Sequence, residues 1–549
     1  MSELLREARE YEAEAGRKIK QQERPCYHLT PQAGWMNDPN GFIFYKGMYH
    51  LFYQYYPYKC MWGPMHWGHA VSRDLLHWSY LPAALAPDEI YDRAGCFSGS
   101  AAVLPDGRLM LIYTGVRKEE AADGELIDIQ TQCLAFGDGT EFVKYEGNPV
   151  LNDSVLPEGG SRKDFRDPKI WQEKDGTYFC VIGNRPADGS GQILLFKSPD
   201  GVGWKFKSVL ASNNNRFGKM WECPDFFELD GKWVLLTSPQ DMLIDKGEYH
   251  SGNGTLCLIG DYNAEDGRFT EETNHSIDSG LDFYATQTLL APDGRRIMVG
   301  WMQNWDSVSL RMPDAKWFGQ MSLPRELSVK DGRLIQQPIR EIKALRTKEV
   351  VYENEVITDE KSFPKVSGRK ADIELTINFR ADGKPAADEN AVQAVSGEKA
   401  AESALAEESV QTAADGDSAQ TITDGAVLQT AENDGGYSCR RFEFRFAKDD
   451  HYYSSISYKT ADSMLRIDRT FSGSRRDVIH HRKCRTELKD GILKLRILLD
   501  LYSVEVFVND GSQTVSAVLY TDPSADQISF IADGTAAVDI RKYDLAEKI

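Results

Sequence analysis

A glycine that follows a turn and precedes an apolar strand recurs five times in this chain. The copies lie 60, 69, 55 and 63 residues apart, at Gly47, Gly107, Gly176, Gly231 and Gly294. A strand-like run stands on each side of every glycine, so each copy contains a β-hairpin. A unit of this length holds about four short strands, the content of one propeller blade. The repeat predicts a five-bladed β-propeller over about residues 26–340. A β-sandwich or a run of unrelated hairpins is the alternative.

The residue nine positions before the turn glycine is polar in four of the five copies. These four residues are Asp38, Ser98, Asp167 and Glu222. In the fifth copy the position holds Ala285, and Tyr284 stands just before it. If these positions open the innermost strand of each blade, the radial arrangement brings them together at one end of the central channel. We therefore expect three carboxylates to meet there.

Outside this repeat the pattern changes at both ends. From about residue 345 to 549, alternating runs such as DIELTINFR and SVEVFVND are typical of an antiparallel β-sandwich. Within it, residues 381–434 are rich in Ala, Glu, Asp, Ser and Gln, and we interpret them as a disordered insertion, with a partner-binding segment as the alternative. Residues 1–25 predict a helical extension, with Leu4, Ala8 and Tyr11 on its docking face.

The net charge limits the kinds of partner that we expect, and the cysteine content limits the compartment. The 84 acidic and 64 basic residues give a formal charge of −20, which would repel nucleic acids and anionic membranes. Nine scattered cysteines without a C-x-x-C pair suit a reducing compartment. Charged residues interrupt the N-terminal run that a signal peptide would need, and no stretch of about 18 apolar residues occurs. We expect a cytoplasmic protein with no nucleic-acid or membrane partner.

The three carboxylates suit the cleavage of a glycosidic bond, which needs a proton donor and a second carboxyl that meets the positive charge on the sugar. Asp38 lies in WMNDPNG, where the following proline and Asn-Gly turn can fix its direction. Glu222 lies in WECPD, whose apolar neighbours would favour the protonated form of an acid. Asp167 follows Arg166 in FRDPK, and the guanidinium would keep it ionised. Taken alone, NDPNG is simply a turn and FRDPK a surface ion pair.

Other motifs indicate no further chemistry. His66 and His69 in HWGH have a spacing seen in metal sites, but no third ligand stands nearby, and we interpret both as structural. The sequence lacks the G-x-x-x-x-G-K-[ST] motif of nucleotide binding and the G-x-S-x-G motif of serine hydrolases. No metal site is therefore predicted.

Together the motifs resemble the glycoside hydrolase family of invertases, sucrose-6-phosphate hydrolases, inulinases and levanases. WMNDPNG at 35–41, FSGS at 97–100, FRDPK at 165–169 and WECPD at 221–225 occur in the family's order. HWGHAVSRDLLHW at 66–78 and SVEVFVNDG at 503–511 extend the resemblance over nearly the whole chain. The resemblance implies a five-bladed propeller followed by a β-sandwich. The acidic insertion is the clearest departure from the family.

The resemblance also implies a retaining β-fructofuranosidase that acts on sucrose or sucrose 6-phosphate, without a metal or cofactor. Asp38 would be the nucleophile, Glu222 the acid and then the base, and Asp167 the stabiliser of the transition state. The fructose pocket would be lined by Asn37, Gln54, Trp62, Phe97, Ser98, Arg166, Tyr284 and Trp301. The alternatives are an exo-acting fructan hydrolase, a fructosyltransferase, or a non-catalytic sugar-binding protein on the same fold.

Overall fold

The computed structural model describes all residues except 122, 246, 309–314, 381–435, 474–478 and 547–549. The predicted insertion at 381–434 thus lies outside the described residues. Short 3₁₀ helices are formed by Gln21–Glu23, Asp153–Val155 and Arg340–Leu345. No helix in these described ranges is both long and apolar enough to cross a membrane.

The N-terminal extension contains the α-helix α1 (Glu3–Arg17), which begins where the hydroxyl of its N-cap serine accepts the amide of Leu5. Leu5 and Ala8 are buried, and the carboxylate of Glu12 accepts the amide of Ala83 at 2.8 Å. Leu4 and Tyr11 are about two-fifths exposed. The predicted docking face is therefore wrong by one position, because the contact with the body uses Leu5, Ala8 and Glu12.

The strands before residue 340 form five sheets in the described ranges. The first contains β1 (Gly34–Tyr45), β2 (Met48–Tyr56), β3 (His66–Ser72) and β4 (Trp78–Leu85). The second contains β5 (Gly95–Val103), β6 (Leu109–Glu120), β7 (Leu126–Gly137) and β8 (Phe142–Lys144). The third contains β9 (Phe165–Gln172), β10 (Tyr178–Asn184), β11 (Gln192–Ser198) and β12 (Lys205–Ser212). The fourth contains β13 (Trp221–Leu229), β14 (Lys232–Pro239), β15 (Leu256–Asn263) and β16 (Arg268–His275).

The fifth sheet closes the series and touches the first. Its region contains β17 (Tyr284–Leu290), β18 (Arg296–Trp301), β19 (Trp317–Phe318), β20 (Arg325–Lys330) and β21 (Arg333–Pro338). Strand β19 pairs in parallel with β1, whereas the other four strands form the fifth sheet. The innermost strands are β1, β5, β9, β13 and β17. Each contacts the next one in chain order, and β17 also contacts β1. This closed arrangement is a β-propeller-like fold.

The repeated glycines lie in the turn between the first two strands of each sheet. All five have positive φ, between 79° and 91°, and an added Cβ would meet no atom within 4 Å. Glycine is therefore favoured here by the backbone conformation, since the space around each turn would admit a side chain.

The second domain is a β-sandwich of two antiparallel sheets. Its strands are β22 (Arg346–Ile357), β23 (Ala371–Asn378), β24 (Cys439–Lys448), β25 (Ser454–Lys459), β26 (Met464–Asp468), β27 (His481–Arg485), β28 (Ile492–Asp500), β29 (Ser503–Val508), β30 (Gln513–Val518), β31 (Gln527–Gly534) and β32 (Ala536–Leu545). One sheet has the order β22-β32-β23-β28-β29-β30, and the other β27-β26-β25-β24-β31. Their inner faces share one apolar core. The predicted all-β class, propeller-like domain and sandwich are confirmed.

Buried charges join the two domains. Arg325 on β20 donates to Glu505 on β29 at 2.6 Å and to Asp278 at 3.1 Å. The ring of His28 lies 2.9 Å from Asp500 through Nδ1 and 2.9 Å from Glu505 through Nε2. All five side chains are essentially inaccessible to solvent. Glu505 belongs to the SVEVFVNDG segment, so this segment takes part in docking the sandwich on the first domain.

Candidate active site

The residues nine positions before the turn glycines lie on the innermost strands and meet at one end of the ring. Asp38 is on β1, Ser98 on β5, Asp167 on β9 and Glu222 on β13. On β17 the residue that reaches the others is Tyr284, one position earlier. The pairing of every inner strand with its neighbour is interrupted beside this residue by a register shift. Such bulges redirect side chains next to a site.

Positive φ angles accompany three of these bulges. Asp167 has φ 66°, Cys223 has φ 49° and Ala285 has φ 53°. A residue with a Cβ adopts this region at an energetic cost, and such residues concentrate at functional sites. The strained backbone therefore marks the same end of the ring that the carboxylates occupy.

Asp38 is held by neutral hydrogen-bond donors. Ser98 Oγ donates to its Oδ2 at 2.5 Å, and Asn37 Nδ2 donates to its Oδ1 at 3.0 Å. Gln54 Nε2 in turn lies 2.5 Å from Ser98 Oγ. Burial raises the pKa of Asp38, whereas the hydrogen bonds from Ser98 and Asn37 lower it. The carboxylate is thus fixed in direction without a cation of its own.

Asp167 is close enough to Asp38 and Glu222 for their charges to affect its pKa. Its Oδ2 accepts the amide of Cys223 at 2.9 Å, and the Cys223 thiol lies 3.7 Å from this oxygen and 3.5 Å from Asp38 Oδ2. Burial, together with the charges of Glu222 and Asp38, raises the pKa of Asp167 to about 7, although Arg166 opposes the rise. Arg166 therefore lowers the pKa of Asp167, as predicted, but from 4.0 Å it does not outweigh burial and the neighbouring carboxylates.

Glu222 and Asp164 are the carboxylates that Arg166 binds most closely. Arg166 Nη2 and Nε lie 2.8 and 3.1 Å from Glu222 Oε1, and the Tyr284 hydroxyl donates to Oε2 at 2.6 Å. Trp221 packs into the core on the other face of the strand. Of the two predicted apolar neighbours, Trp221 therefore points away from Glu222. The thiol of Cys223 stays at the site because a register shift follows Glu222.

The carboxylates face a pocket of about 370 Å³. Eight predicted residues line it: Asn37, Asp38, Gln54, Trp62, Phe97, Arg166, Asp167 and Glu222. Ser98 and Tyr284 are buried and contact Asp38 and Glu222 without lining the pocket. Residues that the sequence analysis did not single out also line it: Ile127, Asp128, Gln130, Lys163, Asp164, Arg185 and Trp305.

Trp301 does not line this pocket, contrary to the prediction. Its ring is fully buried, with its centroid 5.9 Å from that of Trp35 and 5.0 Å from that of Trp305. Trp301 ends β18 opposite Tyr284, whereas Trp305 lies in the loop beyond the strand and reaches the pocket. Both tryptophans belong to the GWMQNW motif. The prediction therefore identified the correct segment but the wrong tryptophan.

The histidines of HWGH pack away from the pocket. His69 Nε2 lies 3.0 Å from His50 Nδ1, and the His69 ring stacks on Phe52 with centroids 3.9 Å apart. Burial lowers the pKa of His66 to about 4 and that of His69 well below its usual range. Among the described residues, no group of three or more His, Cys, Asp or Glu side chains is arranged to hold a metal ion.

Comparison with known proteins gives consistent matches. The family model described as "Glycosyl hydrolases family 32 N-terminal domain" matches residues 28–338, and "Glycosyl hydrolases family 32 C terminal" matches residues 341–546. The chain is 42% identical over 369 residues to a sucrose-6-phosphate hydrolase of Zymomonas mobilis, covering 65% of this chain and 70% of that protein. It is 32% identical to a sucrose-6-phosphate hydrolase of Bacillus subtilis, covering 95% and 94%.

A solved structure shares the whole architecture. The β-fructofuranosidase of Bombyx mori, determined in complex with sucrose, matches with a TM-score of 0.74 and 31% sequence identity. The match covers 99% of this chain and 98% of that one. Both domains and their order are therefore shared with that protein.

Proposed function

The chain belongs to glycosyl hydrolase family 32, and we propose that it is a retaining β-fructofuranosidase that hydrolyses sucrose or sucrose 6-phosphate. The products are fructose and either glucose or glucose 6-phosphate. The observation that carries this proposal is the meeting of Asp38, Asp167 and Glu222, from three different inner strands, at one pocket. Relatives named sucrose-6-phosphate hydrolase and a neighbour that binds sucrose support the substrate class.

In the proposed mechanism Asp38 attacks the anomeric carbon of the fructosyl unit. Ser98 and Asn37 orient its two oxygens, so the nucleophile enters the reaction already aimed. Glu222 protonates the departing glycosidic oxygen and afterwards removes a proton from the water that releases fructose. Arg166 and Tyr284 hold Glu222 in place and stabilise the carboxylate that remains after it has donated its proton.

Asp167 is proposed to bind sugar hydroxyls and oppose the positive charge that develops on the fructosyl ring. Its interaction with the charges of the other two carboxylates and its contact with the Cys223 amide support this role. Trp62, Phe97 and Trp305 supply aromatic surface on which sugar faces pack.

We also propose the number of blades, the cellular location and the kind of partner. We propose that the five sheets are five propeller blades, since each repeats the same turn glycine and the same bulge. We propose a cytosolic location, which nine scattered cysteines without a C-x-x-C pair support. The proposed partner is a small sugar, with no nucleic acid or membrane.

The test is to incubate the purified protein with sucrose and with sucrose 6-phosphate and to follow the products. We expect equimolar fructose and glucose, or glucose 6-phosphate, with fructose first appearing as the β-furanose in a time-resolved NMR spectrum. Initial appearance of the opposite anomer would exclude retention. Accumulation of fructosyl oligosaccharides would assign a transferase, and saturable binding without turnover would assign a sugar-binding protein.

A further inference from the structure

Two cations on the pocket wall have no role in the proposed chemistry. Lys163 and Arg185 both line the pocket, together with Asp164 and Asp128. Lys163 lies in the segment before β9, and Arg185 immediately follows β10. Neither forms a hydrogen bond with Asp38, Asp167 or Glu222. They are therefore available for a part of the substrate that does not react.

A chain of ion pairs runs from Glu222 outward to Arg185. Arg166 lies 2.8 Å from both Glu222 and Asp164, and Asp164 lies 2.7 Å from Arg185. The exposed fraction of the side chain rises along this chain, from 9% at Arg166 to 15% at Asp164 and 36% at Arg185. From Arg166 onward, the ion pairs thus lead to the mouth of the pocket.

The leaving group lies on the side of the general acid, because the acid protonates the oxygen that joins it to fructose. In sucrose the leaving group is the glucosyl unit. A glucosyl unit whose linking oxygen lies at Glu222 can therefore contact the wall that carries Asp164 and Arg185.

The carboxylates at this mouth already form ion pairs with basic side chains. Asp164 is shared by Arg166 and Arg185, and Asp128 pairs with Lys118 at 2.7 Å. Within the described part of the chain, no ion pair is formed by the exposed side chain of Lys163. Lys163 is therefore a cation at the pocket whose ammonium group forms no ion pair with a described carboxylate.

Lys163 is carried on a fixed turn. Ser161 Oγ accepts the amides of Lys163 and Asp164, each at 3.2 Å. The fully buried Asn184 donates its side-chain amide to Ser161 O at 2.8 Å and to Asp164 O at 2.6 Å. Since Arg185 is the next residue after Asn184, one buried side chain positions both cations. A site whose supports are already in place loses less freedom on binding.

We propose that Lys163, assisted by Arg185, binds a phosphate monoester on the glucosyl unit, so that sucrose 6-phosphate is preferred over sucrose. This inference rests on the proposed function. A phosphate monoester carries a charge of about −1.5 to −2 at pH 7. Lysine meets this charge as a point cation, and the free edge of the Arg185 guanidinium adds directed donors.

The test compares Lys163→Met with Lys174→Met, which removes an exposed lysine from the turn at the opposite end of β9. For Lys163→Met we expect kcat/KM for sucrose 6-phosphate to fall about 10-fold, as loss of one charge-assisted contact implies, and kcat/KM for sucrose to change less than 2-fold. Lys174→Met should match the wild type on both substrates. The wild-type preference for the phosphorylated substrate should also fall as salt concentration rises.

An unchanged ratio of the two kcat/KM values in Lys163→Met would overturn the inference, as would an equal loss on both substrates. Calorimetric binding of glucose 6-phosphate and glucose to the same variants tests the phosphate site without turnover. We expect the phosphate to strengthen binding to the wild type and Lys174→Met, and the gain to shrink about 10-fold in Lys163→Met. If the wild type hydrolyses neither sugar, the proposed function fails, and the calorimetric comparison still decides the phosphate site.

Discussion

The pocket and the domain interface both bury clusters of carboxylates, but they treat them in opposite ways. At the interface, Glu505 contacts Arg325 and His28, and these cations hold its pKa below the usual range although burial opposes them. The same burial opposes protonation of His28, yet Asp500 and Glu505 raise its pKa to about 9. In the pocket, burial raises the pKa of Asp38 and Asp167.

The difference teaches what each cluster is for. At the interface every carboxylate meets a cation from another segment, so the charges specify how the domains dock. In the pocket the carboxylates outnumber the cations, and the neutral donors around Asp38 orient it without cancelling its charge. The partner that the pocket lacks is the positive charge that develops on the sugar during reaction.

The largest expected effect is that of Asp38→Asn in the pocket. Removing the nucleophile should lower kcat on sucrose by about 10⁴- to 10⁶-fold, as for nucleophiles in other covalent mechanisms. The midpoint of thermal unfolding should not fall, because an uncompensated buried charge has been removed. Turnover within 10-fold of the wild type would exclude Asp38 as the nucleophile. The carboxylates of the pocket would then have no more catalytic role than those of the interface.

The next effect is that of Glu222→Gln. Loss of proton transfer should lower kcat by about 10²- to 10⁴-fold on sucrose. A fructoside with a leaving group that needs no protonation should retain most of its rate of glycosidic cleavage, measured as the burst of leaving group released. Equal losses on both substrates would contradict the assignment of Glu222 as the acid.

Arg325→Met tests the interface, where stability and not turnover should respond. Leaving Glu505 and Asp278 buried without this cation should lower the free energy of unfolding by about 3 to 5 kcal/mol in urea titrations. The control is Arg340→Met, which breaks the exposed pair with Glu326 and should lower the free energy of unfolding far less, because solvent screens an exposed ion pair.

If Arg325→Met is no more costly than its control, the contrast between paired and unpaired clusters is lost. The turnover of the folded fraction should stay within about 2-fold of the wild type. A large loss of kcat at unchanged stability would instead connect the interface to the chemistry.

The smallest expected effect is on the pH dependence of stability. Because the pKa of His28 is higher in the folded protein, about 9, than its ordinary value of 6.5, its contribution is fully present below pH 6.5 and is lost as pH rises through 9. The shift corresponds to roughly 3 kcal/mol. We expect the free energy of unfolding to fall between pH 7 and 9.5 in the wild type and less steeply in His28→Gln.

Urea titrations of both proteins across this range measure the difference. Parallel curves would show that His28 is not the group that titrates. The buried histidines with lowered pKa, such as His66, titrate below this window and leave the comparison intact.

Much of the fold and the core of the candidate site could be predicted from the sequence. The turn glycines are local signals, since their positive φ is set within four residues. Counting nine residues back from them selected Asp38, Ser98, Asp167 and Glu222, which the structure brings to one end of the ring. The family resemblance is confirmed by the matches to both domains.

What the sequence could not decide is which side chain pairs with which. Arg166 is adjacent to Asp167 in the chain but binds Glu222, 56 residues away. Trp305 takes the place on the pocket wall predicted for Trp301. His28 meets partners more than 470 residues away.

The sequence by itself therefore determined the repeating unit, the two kinds of domain and the residues that open each inner strand. Only the tertiary structure decided the partners of those residues, the docking of the domains and the cations at the pocket mouth. The physical reason is the separation along the chain between the residues that interact. Turn geometry and strand alternation depend on neighbours along the chain, whereas the charge around a buried carboxylate depends on strands brought together when the ring closes.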